Sequence, residues 1–256
     1  MNKTSIGTSW GGVASWYDSL VVGEGSYQKD LILPNLLRLM NIEKGDIVLD
    51  LACGQGFFSG EFAKNGAKVF ASDISPELIA LAKKNENNKG VEFHVSSAEK
   101  IDFLKDKSVD KISIILAIQN IEKVPVVFKE ASRVLRDGGK MFLVLNHPAF
   151  RIPKESSWGY DDEKDIQFRM VDKYLSESKI GIDMNPGETE GAKKMTVSFH
   201  RPLQFYFKLL KNNGFCVGAL EEWISNKTSE EGPKKKAEDK SRKEFPLFMA
   251  LECIKK

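Results

Sequence analysis

The chain has 256 residues, 41% of them hydrophobic, which is enough for one sizeable core with a small appended cap. Its formal net charge of +2 sets up no overall field that would call for a nucleic acid or an acidic membrane as partner. No stretch reads as an apolar membrane span of about 20 residues.

The opening MNKTSIGTSW lacks the apolar core of a signal peptide. The three cysteines, Cys53, Cys216 and Cys253, are odd in number and far apart, which suits reduced thiols and a cytoplasmic location. Neither CxxC nor HExxH occurs, so the expected metal set is none. The first periodic segment, LILPNLLRLM, predicts a helix leading to Asn41. The nearly continuous apolar run DIVLDLA predicts a strand covered on both faces. After Gly56, the spacing of Phe57, Phe58 and Phe62 predicts a helix ending at Gly66. KVFASD is a second strand, and Ser75-Pro76 opens a helix with serine as N-cap and proline at the first helical position. VEFHV and DKISIILA are the third and fourth strands. A helix over 124–136 then turns at Asp137-Gly138-Gly139 into KMFLVLN, the fifth.

Strand and helix alternating in this way imply a parallel sheet with helices on both faces, and such sheets bind ligands at the carboxyl ends of their strands. That rule gathers Asp50 to Gly56, Asp73, Ser96 to Glu99, Leu116 to Asn120 and Asn146 to Phe150 onto one rim. The alternation breaks after Asn146. Residues 147–199 mix aromatics and charges and are too long for a structureless loop, so we read them as a cap over the strand ends. HRPLQFYFKLLKNNGF predicts a helix beginning at His200, and CVGALEEWI and FPLFMALECI two final strands. The Lys- and Glu-rich residues 226–244 between them read as a solvated, mobile loop. Four regions follow: 1–40 as an N-terminal helical lid, 41–146 as a Rossmann-like nucleotide-binding core, 147–199 as the cap, and 200–256 as the helix and strands that complete the core.

The glycine loop VLDLACGQGFFSG separates two ligand classes. A dinucleotide brings a pyrophosphate, which seeks backbone N–H groups and a helix N-terminus and is repelled by a carboxylate. S-adenosylmethionine brings a sulfonium and an amino group, which Asp50 would welcome. The spacing is GxGxxxG through Gly60 rather than the dinucleotide GxGxxG. Asp73, ending the second strand, suits both ribose hydroxyls of either ligand.

DLACGQG, followed by SDIS and by DKISIILAIQNIE, resembles the class I S-adenosylmethionine-dependent methyltransferases. Within them it is similar to the ubiquinone/menaquinone-biosynthesis-like group, which mostly methylates small molecules. The likeness runs from about residue 41 to 147 and is weaker over Trp16-Tyr17-Asp18 and the HRPL helix. It implies a three-layer sandwich around a mostly parallel seven-stranded sheet with an antiparallel last strand, S-adenosylmethionine as cofactor and S-adenosylhomocysteine as product. By position, it implies that Asp50 and the backbone of Ala52, Gly54, Gln55 and Gly56 hold the methionine part. Asp73 would hold the ribose, with Ile74, Ser97 and Ala98 around the adenine. Leu116, Ala117 and Ile118 would line the methionine side. Ser97 stands where many relatives have an acid, and no histidine stands at Gln119-Asn120, where many have one.

Trp16, Tyr17 and Tyr27 in the N-terminal segment are candidates for an aromatic lid facing the sulfonium, or simply pack. An acceptor that must lose a proton needs a base, and histidine is the usual one near neutral pH. His94 lies within a strand. His147 follows the fifth strand and His200 begins the late helix, so these two are the catalytic candidates. Arg151, Arg169, Trp158 and Tyr160 in the cap suit an aromatic or carboxylated small-molecule acceptor, or simply pack. Three rivals stand beside small-molecule methylation. An RNA methyltransferase would use Lys234 to Lys236, but acids dilute that run and AIQNIE replaces the Asn/Asp-Pro-Pro-aromatic motif. The others are an NAD-dependent oxidoreductase and a non-catalytic S-adenosylmethionine-binding protein. Oligomeric state is not legible.

Overall fold

A computed structural model describes residues 25–183 and 195–256. The chain enters through a π-helical turn, Gln28–Ile32, that runs into helix α1, Leu33–Met40. Asn41 stops the helix in the left-handed conformation (φ 43°), one that asparagine tolerates. Strand β1 (Ile47–Leu51), α2 (Phe57–Lys64), β2 (Lys68–Asp73), α3 (Pro76–Lys84) and β3 (Glu92–Val95) follow in alternation. Ser75 caps α3 as the sequence predicts, its Oγ accepting the Leu78 N–H at 3.2 Å. Then come β4 (Val109–Ile115), α4 (Val124–Val134) and β5 (Leu135–Asn146). Two hairpins form the cap, β6 (Ser156–Asp161) with β7 (Ile166–Val171), and β8 (Ser178–Asp183) with β9 (Met195–His200). Helix α5 (Leu203–Asn212), β10 (Phe215–Trp223), α6 (Lys235–Glu244) and β11 (Phe248–Lys255) complete the fold.

Seven strands make one sheet in the order β10-β11-β5-β4-β1-β2-β3. Every neighbouring pair from β5 to β3 is parallel; β11 runs antiparallel between β5 and β10. The strand periodicity of two divides the core. Leu49, Leu51, Leu143 and Leu145 face α4 and α5, burying Phe128, Val127, Tyr206 and Leu210. Val48, Phe142, Val144 and Ala250 face the other way, onto Ile32, Leu36 and Met40 of the first helical segment and Phe62 of α2. This is the three-layer sandwich expected from the alternating strands, and it explains why β1 and β5 are apolar at consecutive positions.

Four expectations need correction. Residues 28–40 are not a lid: Ile32, Leu36 and Met40, four residues apart, are fully buried and form part of the core. Strand β5 starts at Leu135, with a register shift against β4 that absorbs Gly138 (φ 74°) as an irregularity in the strand rather than a separate turn. The late helix starts at Leu203, after Pro202 in extended conformation, so His200 ends a strand instead of opening a helix. The charged segment 226–244 is helical from Lys235 to Glu244. Its residues are good helix formers. Ala237 and Ser241, one turn apart, are buried, and Ser241 Oγ donates to the Gln167 carbonyl of β7 at 2.7 Å. Charge density alone hid this buried stripe. No helix among the described residues is long and apolar enough to cross a membrane.

Candidate active site

Strands β1 and β4 lie side by side, yet the chain leaves them toward opposite edges of the sheet, β1 toward β2 and β4 toward β5. A crevice opens at such a switch point. Here both strands end in a left-handed residue other than glycine, Ala52 (φ 55°) after β1 and Leu116 (φ 52°) after β4. Such a conformation costs roughly 1–2 kcal/mol and persists where surrounding structure enforces it. At Leu116 the enforcement is visible. Its N–H donates to the Val144 carbonyl at 2.7 Å, and its own carbonyl accepts the Gln119 and Asn120 side-chain amides at 2.9 and 3.3 Å. The two kinks turn the chain away from the sheet and leave a cavity of about 360 Å³ above the strand ends.

Asp73 lies on the wall of this cavity and is 7% exposed. Its Oδ2 accepts the Gly54 N–H and its Oδ1 the Ser75 N–H, each at 2.9 Å. Two backbone donors fix the carboxylate and leave lone pairs on both oxygens for a ligand. Burial raises its pKa, against the opposing pull of the N–H groups of Ser75, Gly54 and Ile74. Ile74 beside it is 59% exposed, an apolar side chain held open at the cavity wall. Ala52, Gly54, Ser97, Ala98, Leu116 and Ala117 also line the cavity.

Asp50 does not. It is 2% exposed beneath the glycine loop, with Oδ2 accepting the Ser59 hydroxyl at 2.6 Å and Oδ1 the Ser113 hydroxyl at 2.8 Å. The direct contact expected of Asp50 is therefore not supported by its position, and only its charge can reach the cavity. Burial pushes its pKa up to about 6, the two hydroxyls pull it down, and the neighbouring charge of Asp73 pushes it up again. Above that pH Asp50 adds a negative charge beneath the crevice. The affinity of a cationic ligand is then expected to fall as pH drops through about 6, because protonating Asp50 removes a favourable charge. Titrating S-adenosylmethionine and the uncharged-sulfur S-adenosylhomocysteine between pH 5 and 8 by calorimetry checks this, with the larger pH effect expected for the sulfonium.

Other expected contacts also lie off the cavity. Gln55 and Ile118 are buried in the interior. Gly56 (φ 80°) serves packing: a Cβ there would come within 2.7 Å of Asn88 Nδ2 and 2.8 Å of Phe93. Tyr27 is no lid over the cavity. Its hydroxyl pairs with Ser225 Oγ at 2.9 Å and its ring packs edge-on against Phe248. Tyr17 and Trp16 lie outside the described residues. What the sequence reading missed is the roof, to which β8 and β9 bring Lys179, Val197 and Phe199. Lys179 pairs with Glu122 at 3.3 Å across sequence positions 57 apart. No local signal announces such a pairing.

The two histidines differ. His147 is 3% exposed and lines neither cavity found around the strand ends. Its Nδ1 accepts the N–H groups of Ala149 and Phe150 at 3.2 and 3.3 Å, so Nε2 carries the proton and donates to Glu222 at 2.7 Å. Desolvation lowers its pKa and Glu222 partly restores it. Both nitrogens are committed to holding the turn after β5, which removes His147 as a proton acceptor. His147→Ala is expected to destabilise the fold by about 1–3 kcal/mol by orphaning two N–H groups, with S-adenosylmethionine affinity unchanged; thermal unfolding beside calorimetry checks it. His200 lines a second, smaller cavity shared with Gln119, Asn146 and Arg201. Its Nε2–H donates to the Tyr174 carbonyl at 2.7 Å, leaving the lone pair on Nδ1.

Residues 49–143, the segment that builds β1 to β5 and the crevice, match the methyltransferase domain family. Over that segment the chain carries a methyltransferase domain. It is 32% identical to a demethylmenaquinone methyltransferase of Chlorobaculum parvum over 56% of this chain and 60% of that protein. It is also 32% identical to a ubiquinone biosynthesis O-methyltransferase of Xanthomonas oryzae pv. oryzae, over 45% and 52% respectively. The chain thus spans about 60% or less of the length of these relatives. A solved S-adenosylmethionine-dependent methyltransferase of Mesorhizobium loti shares the fold with a TM-score of 0.67 at 22% identity, covering 86% of this chain and 96% of that one.

The residues around the cavity fit S-adenosylmethionine, the cofactor that the sequence resemblance implies. The cavity has the volume of a small-ligand site. Asp73 keeps free acceptor capacity for ribose hydroxyls, and Ile74 offers an apolar surface for a base. Ala52, Gly54, Leu116 and Ala117 line the cavity where the two kinked strands end. The acid missing at Ser97 has a neighbour in Glu99, also on the wall, whose N–H donates to Ser97 Oγ at 3.2 Å.

Proposed function

We propose that the protein transfers a methyl group from S-adenosylmethionine to a small-molecule acceptor by in-line displacement. The observation that carries this reading is the cavity at the β1/β4 switch point, with Asp73 pinned by two backbone donors and both flanking strands kinked to open it. When bound, S-adenosylmethionine supplies a methyl group on a sulfonium, so the donor end is already activated. The chain's own work is to hold and orient both partners and exclude water. Asp73, Ile74, Ser97 and Ala98 would hold the adenosine end. Leu116 and Ala117 would shape the methionine end, and Asp50 would contribute charge from beneath. The β8–β9 hairpin supports water exclusion through Val197 and Phe199.

His200 is the group proposed to take a proton from the acceptor, because its Nδ1 is the uncommitted nitrogen. His200→Ala is expected to lower turnover by about a hundredfold or more while leaving S-adenosylmethionine affinity intact. Full turnover in that variant would exclude His200 as the base. The relatives' names support a small-molecule acceptor. The three reduced cysteines support a cytoplasmic site of action. Pairing of Lys234 with Asp162 and Lys235 with Glu231 weakens the case for an RNA-binding loop. Labelled S-adenosylmethionine incubated with the protein and a cell extract tests the proposal. Label is expected in a low-molecular-weight product; label in RNA only, or tight binding without transfer, would overturn it.

A further inference from the structure

Two arginines of the cap carry charges that nothing around them neutralises. Arg38, Arg133 and Arg136 each meet a carboxylate at 2.5–2.7 Å. Arg151 and Arg169 meet none among the described residues. The ionisable group that acts on Arg151 is Tyr27, and the one that acts on Arg169 is Arg151 itself. Burial lowers the pKa of both guanidinium groups, and the charge of Arg151 lowers that of Arg169 further. Arg151 is nonetheless exposed, so it stands in a recess that protein surrounds and solvent enters. Two like charges brought together in such a place are unfavourable until an anion joins them.

Local bonds hold the pair in position. Arg151 follows the turn after β5, its backbone N–H donating to the His147 carbonyl at 2.8 Å. Arg169, in β7, donates from Nε to the Phe150 carbonyl at 2.8 Å and from Nη2 to Ser156 Oγ at 2.7 Å. Its guanidinium lies 5.0 Å over the Trp158 ring. Arg169 is thus fixed against the residue before Arg151, with Nη1 uncommitted. Lys227, 4.6 Å from the Tyr27 ring, brings a third positive charge to the Tyr27 side of the recess. Glu222, the acid on this rim, is bound to His147 and acts on neither arginine. The rim is the one where β5 ends: Tyr27 packs on Phe248, which pairs with Asn146. Phe199 stands between it and the cofactor cavity, sharing the small cavity with Arg151 and lining the large one as well.

We infer that Arg151 and Arg169 form an oxyanion subsite that holds a carboxylate or phosphate group of the methyl acceptor, apart from the atom that is methylated. This rests on the methyl-transfer reading and adds the acceptor's charge to it. Guanidinium groups present planar pairs of N–H donors that match the oxygens of either anion, and a neutral group would leave both charges uncompensated. The placement also suits the electrostatics of the site. Asp50 and Asp73 lie on β1 and β2, on the far side of β4 from β5, so an anion held here is kept away from both. Arg151 and Arg169 are binding residues in this scheme and take no part in proton transfer.

The labelled product formed by the full chain from S-adenosylmethionine and a cell extract is passed over an anion exchanger at neutral pH. Retention is expected; a labelled product that flows through as a neutral molecule would overturn the subsite while leaving methyl transfer intact. With the retained acceptor as substrate, Arg151→Gln is expected to raise KM on the order of 10- to 100-fold with kcat little changed and S-adenosylmethionine affinity unaltered. An unchanged KM would overturn the assignment. Arg169→Gln should act in the same direction, and a thermal melt identifies it if loss of its bonds to Phe150 and Ser156 merely unfolds the cap. Titration of inorganic phosphate into the full chain, followed by calorimetry at low ionic strength, reads the subsite without turnover. Weak binding that Arg151→Gln abolishes is expected, and no difference between the two proteins would count against the pair. Phosphate bound Arg151-dependently beside a neutral labelled product would assign the pair to a free anion and overturn its link to the acceptor. Absence of any labelled product would tell against the methyl-transfer reading, with the phosphate titration still deciding the subsite.

Discussion

Asp73→Ala is expected to raise the dissociation constant for S-adenosylmethionine by about 5- to 150-fold, or roughly 1–3 kcal/mol. Two losses add. The first is direct, because the carboxylate's free lone pairs are the acceptors available for ribose hydroxyls on that wall of the cavity. The second is indirect: the same oxygens hold the N–H groups of Gly54 and Ser75, so their removal loosens the loop after β1 and the start of α3 together. Asp73→Asn, which keeps one carbonyl oxygen, should fall between the two. Calorimetry measures the affinity, and a thermal melt separates loss of the site from loss of the fold. Binding unchanged in Asp73→Ala would remove Asp73 from the site and with it the adenosine orientation used above.

Gly56→Ala should destabilise the domain by roughly 3 kcal/mol or more, combining overpacking with a left-handed backbone. A methyl group at Gly56 would lie 2.7 Å from Asn88 Nδ2 and 2.8–2.9 Å from the Phe93 ring, at φ 80°. Asn88 cannot yield freely. It is 5% exposed, and its Nδ2 donates to the carbonyls of Gln55 and Ala82 at 3.0 and 2.9 Å, tying the glycine loop to α3. A fall in melting temperature of about 6–12 °C follows for a domain of this size. Gly60 meets the same turn from α2, where a Cβ would come within 2.7 Å of the Asn87 carbonyl oxygen. The glycines of GxGxxxG therefore act in part by letting α2 approach the turn at 86–88, and a melting temperature unchanged in Gly56→Ala would contradict that.

Much of the cavity wall was legible in the sequence because its signals are local. Asp73 ends a strand, Ser75-Pro76 starts a helix, and Gly54 follows a strand, and each rule concerns a few neighbouring residues. Asp50 shows where that reasoning runs short. Its position beside the glycines predicts contact, yet strand pleating turns its side chain down to Ser113 of the neighbouring strand and Ser59 of α2. The histidines fail for a related reason. His147 sits on the rim in sequence order, but Glu222, 75 positions away, claims one ring nitrogen, and the chain just after the residue claims the other.

By itself the sequence determined the alternation of strands and helices, the sheet's switch point and the identity of the cofactor class, because periodicity, caps and the loop motif are properties of adjacent residues. Only the tertiary structure decided which acid touches the cavity, that 226–244 holds a packed helix, and that Gln119 and Arg201 share one small cavity. Those outcomes depend on partners brought together from distant positions, such as Arg201 with Ile121 and Ser241 with Gln167. A buried polar atom is recognised only when its whole shell is known, and no stretch of chain carries that information alone.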